Sequence, residues 1–95
     1  MKAETALQQQ VVKFYRDVGC EVYILGGVPR RTMQTPGLPD LWVFQPSRER
    51  GWWHEIKTVD GVLSLDQEDF KERCSACDIP YTQGGLQSAI DMVDP

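Results

Sequence analysis

Leu7, Val11, Phe14 and Val18 recur at helical spacing and make one apolar stripe, which predicts a helix over 3–18. Gly19 is well placed to end it. Glu21-Val22-Tyr23-Ile24-Leu25 is rich in β-formers and reads as a first strand. The segment 26–38 holds Gly26, Gly27, Pro29, Pro36 and Gly37, the composition of a loop or irregular hairpin. Two further strands are expected over 40–45 and 52–58. The polar stretch between them, from Gln45 to Gly51, makes them an antiparallel pair.

Beyond Thr58 the period changes. Ser64 reads as a helix N-cap, with Gln67 three residues later as in a capping box. That helix should run to about Cys77, with Phe70, Cys74 and Cys77 on its apolar face, and should stop before Pro80. Tyr81-Thr82-Gln83 forms a short strand and Gly84-Gly85 a turn. Leu86 to Val93 forms a last amphipathic helix with Leu86, Ile90 and Val93 inward. The order is α-β-β-β-α-β-α, an α/β fold with a central mixed sheet flanked by helices.

Composition narrows the class. Ninety-five residues suit one domain spanning 1–95, and 41% hydrophobic with 25% charged residues is the balance of a folded soluble protein. A core of this size is modest, so oligomerisation is a natural source of further stability. No apolar run approaches the roughly 20 residues of a membrane-spanning helix. The first residues lack the apolar stretch of a signal peptide, so the expected compartment is the cytoplasm. Three cysteines, an odd number, argue against a disulfide framework. Cys74 and Cys77 have zinc-like spacing, but His54 is the only histidine and no second pair completes a site. These cysteines read instead as small buried residues on a helix.

The net charge of −4 looks unfavourable for a nucleic-acid partner, but it is unevenly spread. Residues 1–57 carry eight Lys/Arg against six Asp/Glu, whereas residues 58–95 carry two against eight. No strong basic patch appears, so affinity for plain duplex DNA should be weak and salt-sensitive.

The candidate chemistry lies at the ends of the second and third strands. Asp40 opens the apolar run Leu41-Trp42-Val43-Phe44, and Glu55-Ile56-Lys57 closes the next strand. Side chains alternate along a strand, so Glu55 and Lys57 share one face. Two carboxylates and an ammonium on neighbouring strands suit a hard divalent cation and a phosphodiester. The Ile56 carbonyl, lying between Glu55 and Lys57, is a possible third ligand. Lys57 can contact the attacking water or the scissile phosphate. His54 points away from Glu55 and reads as packing or surface. Trp52 and Trp53 lie on opposite faces, one for the core and one available to an oligomer interface. Each feature also has a plain structural reading. Glu55 and Lys57 alone could form an exposed salt bridge worth at most about 1 kcal/mol. Asp40 could be a turn residue, Glu4 an acid favoured by a helix N-terminus, and Gln67 simply half of the capping box. Arg30 and Arg31 are either phosphate contacts or residues of a solvated loop.

Taken together, Pro39-Asp40 and Glu55-Ile56-Lys57 resemble the PD-(D/E)xK nuclease signature. The wider pattern resembles one branch, the VRR-NUC (virus-type replication-repair nuclease) domain. Its marks here are Glu4 on the first helix, Gly37-Leu38-Pro39-Asp40-Leu41, Glu55-Ile56-Lys57 and Ser64-Leu65-Asp66-Gln67. The resemblance spans the chain from Glu4 to about Val93. It implies a restriction-endonuclease-like core and a metal-dependent DNA endonuclease using Mg²⁺ or Mn²⁺, one or two ions. Asp40, Glu55 and the Ile56 carbonyl would bind metal, and Lys57 would be the catalytic lysine. Glu4 would approach the metal directly or through water, and Gln67 would order the site. Stand-alone, phage-type members imply a homodimer acting on branched DNA such as four-way (Holliday) junctions, in the host-cell cytoplasm. Flap or end processing, and a non-catalytic DNA-binding or assembly module that keeps the fold, are the alternatives.

Overall fold

The computed structural model describes residues 2–25 and 35–94. In chain order the elements are α1 (Ala3–Asp17), β1 (Glu21–Ile24), β2 (Leu41–Gln45), β3 (Arg50–Ile56), α2 (Leu65–Ala76), β4 (Tyr81–Gly84) and α3 (Leu86–Val93). A single 3-10 turn, Pro46–Arg48, links β2 to β3. The predicted order and the mixed sheet are both present.

The four strands lie in the order β1-β2-β3-β4. The first two pairings are antiparallel, with Leu41 opposite His54 and Trp42 opposite Trp53. The third is parallel, with Glu55 beside Gln83 and Ile56 beside Gly84. A parallel pair needs a crossover, which the segment containing α2 supplies.

Helices α1 and α3 pack on one sheet face and enclose the core. Val11, Val12 and Tyr15 from α1 and Ala89 from α3 meet Leu41, Val43, Trp52 and Ile56 from the sheet. The predicted stripe of α1 is rotated at its end. Val12 and Tyr15 are buried while Val18 is 49% exposed, because the helix stops at Asp17 and Gly19, at φ 91°, turns the chain away. In α3 the inward residues are Ala89, with Met92 and Val93 packed beside it. Leu86 and Ile90 are exposed instead, and the fully buried residue of the helix is Ala89. On α2, Cys74 is buried but Cys77 is exposed at the C-cap. Cys20, also buried, precedes β1 and does not lie on a helix.

The core contains one polar chain. The Trp52 indole N–H donates to the Tyr15 hydroxyl at 3.0 Å, and that hydroxyl lies 2.6 Å from His54 Nδ1. His54 Nε2 lies 3.1 Å from the Gly84 carbonyl. A carbonyl only accepts, so Nε2 carries the imidazole proton and Nδ1 accepts from Tyr15. Burial lowers the His54 pKa and keeps the ring neutral. His54 is therefore a fully buried core residue.

The opposite sheet face is aromatic. Tyr23, Phe44, Trp42, Trp53 and Phe70 form a run of edge-to-face contacts with ring centroids 4.8–5.8 Å apart. Phe70 seats α2 on Trp53, whereas Tyr23 and Phe44 remain exposed. Trp52 thus fills the core, and Trp53 lies half-buried on the aromatic face.

Candidate active site at the carboxyl end of the parallel strands

Three chain segments bring the predicted residues to one end of the sheet. Asp40 stands immediately before β2, held by a rigid approach through the buried Pro39. Its Oδ2 accepts the backbone N–H of Ile56 at 2.9 Å, which pins the start of β2 to the end of β3. Gly37 explains the glycine of the motif. Its φ is +85°, and a Cβ there would drive into the Asp66 backbone carbonyl in the first turn of α2. The Gly-x-Pro-Asp segment therefore passes directly beneath the helix that carries Gln67.

Glu55 is only 3% exposed. Its Oε2 accepts from Gln67 Nε2 at 3.4 Å, and its Oε1 is buried with no hydrogen-bond partner. Burial first, then the adjacent Asp40 carboxyl, pushes the Glu55 pKa up to about 8, while Lys57 opposes the rise. Two carboxyls this close do not both ionise easily without a counter-cation.

Gln67 does both things that the sequence offered as alternatives. Its Oε1 accepts the Ser64 N–H at 2.8 Å, and its own N–H donates to Ser64 Oγ at 3.2 Å, completing the capping box. The remaining amide nitrogen reaches Glu55.

Lys57 lies just beyond β3, which spans Arg50–Ile56 and so ends two residues before the expected strand over 52–58. Its N–H still bonds the Gly84 carbonyl at 3.2 Å, so the chain stays extended there. The Lys57 side chain lines a cavity of about 460 Å³ with Gln83, Gly84, Gly85, Leu86 and Gln87. Glu4 and Gln8 from α1 line a second cavity of about 400 Å³ with Asp40 and Ile56. Glu4 is thus on the Asp40 side of the site. Its charge contributes to the upward shift of Glu55. Arg30 and Arg31 lie outside the described residues.

The electrostatics of this end differ from the net charge. The N-termini of all three helices converge on it. Glu4 of α1 shares a cavity with Asp40, Gln67 of α2 bonds Glu55, and Leu86 of α3 shares a cavity with Lys57. No side chain caps α1 or α3, so their free N–H groups add positive potential there. This is the end where open α/β sheets place ligands, beyond the carboxyl ends of parallel strands.

Among the described residues no three acidic, imidazole or thiol side chains converge into a ready-made metal cage. The donor set still fits a hard cation. Mg²⁺ uses one or two carboxylates and keeps several waters. Asp40 and Glu55 are such a pair, and the unpartnered Glu55 Oε1 is an oxygen that a cation would satisfy.

Sequence reasoning missed Gln83 and Lys71. Gln83 is the cross-strand neighbour of Glu55, and Lys71 Nζ donates to Gln83 Oε1 at 2.9 Å. The signal available was Lys71 standing four residues after Gln67 on one helix face. The β3–β4 register could not be deduced across a crossover.

A solved structure described as a VRR_NUC domain resembles this chain with a TM-score of 0.78 at 21% identity, covering 99% of this chain and 97% of that one. No family model and no curated protein matches the sequence. The chain has the fold of a VRR_NUC domain.

Proposed function

We propose that this protein is a metal-dependent DNA nuclease that hydrolyses phosphodiester bonds with Mg²⁺ or Mn²⁺. The observation that carries the proposal is the carboxyl pair of buried Glu55 and half-buried Asp40, with one Glu55 oxygen unpartnered, at the carboxyl end of the parallel strands in a fold like that of a VRR_NUC domain. One or two bound ions would supply a water of lowered pKa and neutralise the phosphoryl oxygens.

The chain's own residues divide the remaining work. Asp40, Glu55 and the Ile56 carbonyl would hold the cation, with Glu4 reaching it from α1 directly or through water. Gln67 holds Glu55 Oε2 and so fixes where Oε1 points. Lys57 contacts the attacking water or the scissile phosphate. As the water oxygen bonds phosphorus, the bond to the 3′-oxygen breaks and that oxygen takes up a proton. Arg30 and Arg31 are further candidate phosphate contacts.

The proposed substrate is branched DNA such as a four-way junction, cut in the host-cell cytoplasm by a homodimer. Two sites related by a two-fold axis suit symmetric cutting of two strands. The exposed aromatics Tyr23 and Phe44 support association through that sheet face. No helix among the described residues is long and apolar enough to cross a membrane, and no membrane partner is proposed.

The test is cleavage of four-way junction, flap, single-stranded and plain duplex DNA, with Mg²⁺ or Mn²⁺, by wild type and Lys57→Ala. Metal-dependent cuts on the junction that vanish in the variant are the expected result. Cuts confined to flaps or ends would replace the junction with that substrate. A folded, metal-binding protein that cuts nothing would overturn catalysis in favour of a binding module.

A further inference from the structure

We infer that Lys71, held in place by Gln83, is a second phosphate contact beside the scissile position, gripping the neighbouring phosphate of the strand that is cut. The inference rests on the nuclease reading and names a substrate-binding residue outside its catalytic set.

Three observations carry it. Lys71 Nζ donates to Gln83 Oε1 at 2.9 Å, and Gln83 is the residue directly beside Glu55 in the β3–β4 register. Gln67, one helical turn before Lys71 on α2, is the residue that bonds Glu55. The two residues of α2 therefore address paired positions on β3 and β4 at the same end of the sheet. Gln83 also lines the cavity that Lys57 lines, so the residue that holds Lys71 borders the same opening as Lys57.

The charge of Lys71 is left available. Helix α2 carries four acids, Asp66, Glu68, Asp69 and Glu72, beside Arg73, yet Lys71 turns to a neutral amide. Among the described residues the only ion pair is Lys13 with Asp17, far along α1. An ammonium oriented by an amide keeps its full charge and spare N–H donors for a phosphate oxygen. β4 is an edge strand, so nothing in the sheet covers this approach.

The experiment measures binding of labelled four-way junction DNA between about 50 and 200 mM salt, in Ca²⁺, for wild type, Lys71→Ala and Arg48→Ala. Arg48 is an exposed cation in the β2–β3 turn, at the opposite end of the sheet. A lost phosphate contact lowers the salt slope by about 0.7–0.9, so Lys71→Ala should show that drop and weaker binding, and Arg48→Ala neither. Equal slopes in wild type and Lys71→Ala would overturn the inference. So would the same drop in Arg48→Ala, or no binding by wild type. Cleavage in Mg²⁺ is read in parallel. Wild-type cutting with unchanged slopes sinks Lys71 alone, whereas a slope change without cutting sinks the catalytic reading and, with it, the place of Lys71 beside a scissile phosphate.

Discussion

Gln67 reaches Glu55 across the gap between α2 and β3, its amide nitrogen 3.4 Å from Oε2, while the oxygen of the same amide closes the Ser64 capping box. One side chain thus fixes the helix start and the orientation of a buried carboxyl. The two duties can be separated. Gln67→Glu keeps a capping-box acceptor but removes the donor to Glu55 and adds a like charge. Its thermal stability in EDTA should stay within about 1 kcal/mol of wild type, while cleavage falls at least tenfold. Gln67→Ala should lose the cap as well, at a cost of about 1 kcal/mol. Denaturant unfolding beside initial cleavage rates reads both. Equal activity in wild type and Gln67→Glu would remove Gln67 from the site.

Glu55 makes the metal-free protein sensitive to alkaline pH. Its pKa is raised from 4.5 to about 8 by burial and Asp40, so the folded state holds a proton that the unfolded chain releases. Stability therefore falls as pH rises from about 4.5 to 8. Buried His54, whose pKa is lowered from 6.5, acts in the opposite sense and loses stability as pH falls below 6.5. Between pH 6.5 and 8 the Glu55 effect acts alone. The Tm in EDTA should decline over that window, and Glu55→Gln should flatten the decline. Saturating Mg²⁺ should remove it, with a proton released on binding. A Tm in EDTA that is flat or rising with pH in wild type would contradict this account.

Asp40→Asn keeps an oxygen to accept the Ile56 N–H and removes a carboxylate charge. The fold should persist, judged by circular dichroism and an unchanged urea midpoint. Metal-dependent cleavage should drop about a thousandfold, since metal charge stabilisation is worth several kcal/mol and each 1.36 kcal/mol is a factor of ten. Retained cleavage in a pure preparation would exclude Asp40 from the chemistry.

Gly37→Ala tests the packing of the motif loop under α2. The substitution meets both the positive φ and the Asp66 carbonyl. We expect about 1–3 kcal/mol of destabilisation and a loss of cleavage exceeding that in unfolded fraction, because the clash displaces Asp40 relative to Gln67. Unfolding and activity measured at the same temperature distinguish the two.

The core chain should be costly to interrupt. Tyr15→Phe leaves the Trp52 indole N–H and His54 Nδ1 without their shared partner. A loss of about 1–3 kcal/mol by urea unfolding is expected. A neutral outcome would mean that water replaces the hydroxyl.

Much of this architecture was legible because it is local. The Ser64–Gln67 box, the Gly19 stop and the β2–β3 pairing depend on residues close in sequence. Asp40 and Glu55 also emerged, because hydrogen bonding between consecutive antiparallel strands leaves little choice of partner. What stayed hidden depended on tertiary rotation or register. Tyr15 lies outside the expected stripe of Leu7, Val11, Phe14 and Val18, yet it is fully buried and meets His54. Leu86 and Ile90 looked inward by hydrophobicity, but the rotation of α3 buries Ala89 and leaves both exposed. Gln67 seemed to face a choice between cap and site. A flat pattern cannot show that opposite ends of one amide serve both.

The convergence of three helix N-termini gives the molecule a polarity that its pI of about 4.8 conceals. Under the proposed nuclease reading, the backbone N–H groups at those helix starts would offset part of the carboxylate charge of Glu4, Asp40 and Glu55. An anionic strand would then approach this end of the sheet against less repulsion than the acidic sequence as a whole suggests.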